Sequence, residues 1–129
     1  MLPFLLEALL MIYAAIVTNF VIFLIHVFVG GPTSARPLLA AKDLRTVPKL
    51  TNYYCWHLVS IVLFAMGLCW VWFLIDPAAR EVAILATGLS AAFLVWGLLL
   101  VLWKRQKHME MPQWILFAAS TAVSAAALW

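Results

Sequence analysis

The residues best suited to chemistry in this sequence are three histidines, His26, His57 and His108. His26 stands four residues before Gly30-Gly31-Pro32, and His57 follows a polar, basic stretch; each lies just inside a long apolar run. If the two runs are antiparallel membrane helices, a rise of ~1.5 Å per residue sets both imidazoles at one depth. A facing pair of imidazoles is the axial ligand set of a b-type haem. With His108 added, the set His26, His57 and His108 offers three nitrogens to a divalent metal. Imidazoles beside a quinone or other small molecule would instead move protons, since they titrate near neutral pH. The plainer alternative stays open: both rings sit at the interface, reaching water or a loop carbonyl.

Other side chains gather at the same level. Tyr53, Tyr54 and Trp56 make a polar-aromatic cluster that suits an interfacial belt or the walls of a pocket for a flat ring. Asn19 precedes His26 by seven residues, on nearly the same helical face. It is expected to share the His26 cavity or to bond a neighbouring helix. Cys55 and Cys69 lie inside apolar sequence, too far apart along one helix to pair, and read as small reduced hydrophobes. Zinc-protease and paired-cysteine motifs, the phosphate-binding loop, the dinucleotide fingerprint and the nucleophile elbow are all missing. The balance is against an enzyme.

The elements that must position these residues follow from composition. Of 129 residues, 67% are hydrophobic and only 10% charged, against roughly a quarter charged in a soluble domain. The mean hydropathy is +1.09. So few charges cannot clothe a water-facing surface, so the solvent is expected to be lipid. The net charge of +3 does not indicate nucleic acid, because the charges occupy short loops between apolar runs.

Four apolar spans are expected, at about 3–29, 52–75, 82–103 and 112–129. The first lacks a basic leader and carries Glu7, so it reads as a span rather than a cleavable signal. Gly30-Gly31-Pro32 is expected to end it, with a loop to about Thr51 and a short interfacial piece near Arg36 as one option. Asp76-Pro77 is expected to make a tight turn with Asp76 as N-cap. In the third span Gly88 and Ala92, four apart, suggest a face of close helix approach. The fourth span is short and rich in Ala and Ser, which suits close packing among other helices.

The fold class is therefore all-α: an integral membrane four-helix bundle of two antiparallel transmembrane hairpins in one domain. Arg36, Lys42, Arg45, Lys49, Lys104, Arg105 and Lys107 fall in two turns on one side, leaving Arg80 in the other. Positive charge favours the cytoplasm, which puts both termini in the periplasm if the membrane is a bacterial inner one. Three functional classes remain. One is a non-catalytic accessory or small-molecule-binding subunit of a larger membrane complex. The second is a redox module holding haem b or quinone at His26 and His57. The third is a small transporter or channel, which would need a homo-oligomer.

Overall fold

The computed structural model describes residues 1–129, with Leu2 described as backbone alone. The chain is 87% helical, and the described residues include no strand. Helix α1 (Leu2–Ile25) runs without a break into a ten-residue π-helical segment (His26–Ala35) and then α2 (Arg36–Ala40). Helix α3 (Thr46–Ile75) follows a short loop. A 3-10 turn (Pro77–Ala79) leads into α4 (Arg80–Trp103), and α5 (Gln113–Leu128) closes the chain. Three stretches are long and apolar enough to cross a membrane: Pro3–Ala40, Thr46–Ile75 and Pro77–Trp103. Helix α5, with 16 residues, is shorter, about 24 Å at ~1.5 Å per residue against a hydrocarbon core of about 30 Å.

The first span does not end at Gly30-Gly31-Pro32. A proline inside an α-helix removes one N–H and drives its ring into the carbonyl four residues back. Here the backbone widens into π geometry, in which each N–H reaches five residues back, as Arg36 N–H does to the Gly31 carbonyl. Thr33 helps by donating its hydroxyl to the Val29 carbonyl at 2.8 Å. The rod thus carries the chain ten residues further than the glycines suggest. The loop shrinks to match, because α3 begins at Thr46 rather than near Asn52. Lys49 bridges the junction by donating to the Ala41 carbonyl.

The Asp76-Pro77 turn forms as its chemistry requires. Asp76 Oδ1 accepts the Ala78 N–H at 3.0 Å, satisfying a donor that the new helix leaves free. Arg80, the one basic residue of this turn, donates from Nη2 to the Leu128 carbonyl at 2.8 Å. It thereby satisfies one of the carbonyls orphaned at the end of α5. At the other end of α4, Arg105 adopts φ 52°, and Gln106 N–H reaches the Val101 carbonyl while Arg105 N–H reaches Leu102. That pair of bonds is a Schellman stop.

Helix α1 packs on α3 and α5, and α4 packs on the same two partners. Inside lie Ala15, Ile22, Leu63, Met66, Trp70, Ala83 and Ala86. Large apolar side chains such as Leu10, Ile61 and Leu85 face outward at more than half exposure, the surface of a protein solvated by lipid.

The close approach on α4 differs from the expected one. Gly88 and Ala92 are exposed, and a Cβ at Gly88 would meet nothing within 4 Å. The inward face is Ala83, Ala86 and Ser90, with Gly97 against Trp114, where a Cβ would lie 3.3 Å from the Trp114 Cβ. Small residues recur on both sides of this helix, so spacing alone does not choose between them.

Polar side chains tie α5 to both neighbours. Ser120 donates to Asn19 Oδ1 at 3.4 Å, and Asn19 returns its amide to the Ala15 carbonyl at 2.9 Å; both residues are buried. Thr121 donates to Ser90, which donates to the Phe117 carbonyl. Interhelical hydrogen bonds in lipid contribute about 0.6 kcal/mol on average and up to about 1.7. Asn19→Ala is expected to lose stability at the upper end of that range, because Ser120 is left without its acceptor. Unfolding in mixed micelles measures it. Ser120→Ala should cost less, since Asn19 keeps its bond to Ala15.

Candidate functional site

A cleft of about 500 Å³ lies at the end of the molecule that carries the basic turns. Its apolar floor includes Ile22, Ile25, Leu63, Leu116 and Phe117, from α1, α3 and α5. Its polar lining is His26, Thr33, Ser34, Glu110 and Gln113. Three of these come from the π segment. The helix continues past Pro32, so His26, Gly30 and Thr33 recur every three to four residues and line one wall.

Trp56 from α3 forms the partition. Its indole stacks on the His26 ring at 3.9 Å between centroids and 16° between planes. His26 Nε2 donates to the Trp56 backbone carbonyl at 3.3 Å in the tautomer this bond requires. That leaves Nδ1 as a lone-pair acceptor. The fit of Trp56 against the rod depends on Gly30: a Cβ there would lie 2.6 Å from Trp56 Cη2.

His57 stands on the other side of this partition. It lines a separate cleft of about 310 Å³, with Tyr53, Ser60 and Arg36. Tyr53 meets the His57 ring edge-on at 4.6 Å. The structure therefore brings His26 and His57 to one end of the molecule, with Trp56 lining both clefts between them. Tyr54 is exposed and lines neither cleft. Asn19 lines neither as well; it sits in its buried bond with Ser120. His108 is exposed, edge-on to Trp114 at 5.4 Å. No three His, Cys, Asp or Glu side chains come together as a metal set among the described residues, so the trio His26, His57 and His108 does not assemble. Cys55 and Cys69 are free.

Four lining residues escape a reading of sequence alone: Thr33, Ser34, Glu110 and Gln113. The first two sit beyond Pro32, where the helix is expected to have stopped. Glu110, in the turn before α5, and Gln113, the first residue of α5, carry no motif. Glu110 pairs with Lys107, Nζ to Oε1 2.9 Å, an exposed pair of little energetic weight at the cleft mouth.

Chemically the cleft can accept hydrogen bonds at Glu110, at His26 Nδ1 and at the Thr33 hydroxyl, whose own proton goes to Val29, donate from Gln113 and Ser34, and bury an apolar body below. Its volume lies in the range of small-molecule sites. No known family model, curated protein or solved structure matches this chain.

Proposed function

We propose that this chain is a non-catalytic, small-molecule-binding subunit of a membrane assembly. Its helices form a four-helix bundle of two antiparallel hairpins in the bilayer, with the basic turns cytoplasmic and both termini periplasmic. The observation that carries the reading is the His26 cleft. Polar groups from the π segment and the α4–α5 turn converge there above an apolar floor, on a molecule otherwise poor in polar side chains. The ligand class that suits it is an amphipathic molecule with a compact hydrogen-bonding head.

A second reading, haem b or quinone, draws support from the stacked His26–Trp56 platform, which suits a flat ring. It is weakened by the separate clefts of His26 and His57, which give one iron no shared space. Haem would show as a Soret band that His26→Ala or His57→Ala abolishes; a colourless preparation removes haem, and a solvent extract free of quinone removes the rest of that reading.

The test of binding is to extract the freshly purified protein with solvent and identify what it released by mass spectrometry. Wild type should release a stoichiometric small molecule. Leu116→Trp, which fills the cleft from the α5 side, should lower its amount about tenfold, equivalent to ~1.4 kcal/mol of affinity. Equal recovery from both proteins, or none from wild type, contradicts the proposal.

A further inference from the structure

The second cleft is a different kind of site. It lies on the His57 side of Trp56, between the π segment with α2 and the start of α3. Its floor is apolar, with Phe23, Val27 and Leu39, and its rim is Arg36, His57 and Tyr53. No acidic side chain lines it. Among the described residues the ion pair is Lys107–Glu110, so Arg36 faces this groove with its charge uncompensated. Asp43, in the loop beyond, lines neither cleft.

We infer that this groove seats an anionic phospholipid from the leaflet that meets the basic turns. The phosphate sits against Arg36, with His57 and Tyr53 as hydrogen-bond donors beside it. An acyl chain runs down over Phe23 and Val27. Three observations converge on a lipid rather than a soluble anion. The cationic rim continues directly into an apolar floor. The groove opens where the apolar run of α1 ends and that of α3 begins. The apolar residues Phe28 and Leu50, on the helices that bound the groove, are exposed at 70% and 53%, a surface that acyl chains cover without penalty. A basic pocket between membrane helices at the interface is the arrangement that recognises anionic head groups. The inference does not depend on the His26 cleft, which lies on the opposite side of the Trp56 partition.

The test uses full-length protein in mild detergent, loaded with phosphatidylglycerol or phosphatidylcholine and read by native mass spectrometry. Wild type is expected to retain phosphatidylglycerol in preference. Arg36→Gln should lower that retention about fivefold, the weight of one basic side chain at an anionic surface. Arg36→Lys should keep most of it. Arg45→Gln, a loop cation outside the groove, should leave it unchanged. The inference is overturned if Arg45→Gln loses as much as Arg36→Gln, which would mean diffuse attraction to the loop. It is equally overturned if the double variant Arg36→Gln, His57→Gln retains the wild-type amount. Displacement of the lipid by inorganic phosphate or by a soluble acidic peptide at matched concentration would also overturn it, since either would make the groove a site for a soluble anion.

Discussion

Gly30→Ala is expected to destabilise the fold by about 1–3 kcal/mol, the range for an overpacked interior, and to deform both clefts at once. The added Cβ would lie 2.6 Å from Trp56 Cη2, well inside van der Waals contact. The rod cannot retreat easily, because the π segment around Gly30 is held by Thr33 and by the widened backbone bonds. The indole must therefore swing, and it can do so only by giving up its stack on His26 and entering one of the flanking clefts. Trp56→Phe alone should cost stability through lost contact. Combined with Gly30→Ala it should cost much less than the sum, because the smaller ring leaves room for the methyl group. A coupling energy of about 1 kcal/mol or more from this cycle, measured by unfolding in mixed micelles, is the expected result. Additive single effects would mean that Gly30 and Trp56 do not meet.

Trp70→Ala should produce the largest loss of stability in the molecule, about 3 kcal/mol, at the low end of the range for aromatic truncation. Trp70 is fully buried among α1, α3 and α4 residues of the core, and its ring stands edge-on to Phe73 at 5.9 Å. The low end applies because lipid replaces water as the alternative environment. The transfer of apolar surface then contributes little, and the lost packing remains. Trp70→Phe gives the sharper contrast. The indole N–H has no hydrogen-bond partner, and an unsatisfied buried donor costs about 1–3 kcal/mol. Phenylalanine removes that penalty while keeping most of the ring, so its net effect should stay below about 1.5 kcal/mol. Thermal unfolding followed by circular dichroism distinguishes the two variants. A loss well above about 1.5 kcal/mol for Trp70→Phe would show that the N–H has found a partner.

What the sequence reveals of this molecule follows the range of the interactions involved. The Asp76-Pro77 turn is legible because its cap is local, one carboxylate bonding an N–H two residues on. The long apolar helices are legible because composition alone dictates them. Gly30-Gly31-Pro32 misleads because the cost of a proline in a helix depends on what the backbone can do around it. A π segment absorbs that cost here, and no local pattern announces it. The Gly88 and Ala92 face misleads for a different reason: the spacing is real, but which side of α4 turns inward is decided by α3 and α5.

The candidate site divides along the same line. The common depth of His26 and His57 follows from rise per residue and is readable. Their separation by Trp56 depends on rotation about each helix axis, which rise does not specify. Glu110 and Gln113 reach the cleft only because α5 folds back beside α1, a contact made through Asn19 and Ser120, 101 residues apart in the chain.

The most direct measurement is photocrosslinking from the cleft mouth in intact membranes. A benzophenone side chain replacing Gln113, which lines the His26 cleft, should capture a discrete small molecule of a single mass. The same group at Ala126, exposed on α5, should capture bulk lipid alone. An adduct of one defined non-lipid mass at position 113, lost when Leu116→Trp fills the cleft, is the expected result. The same lipid adducts at both positions would show that the cleft holds only the surrounding bilayer.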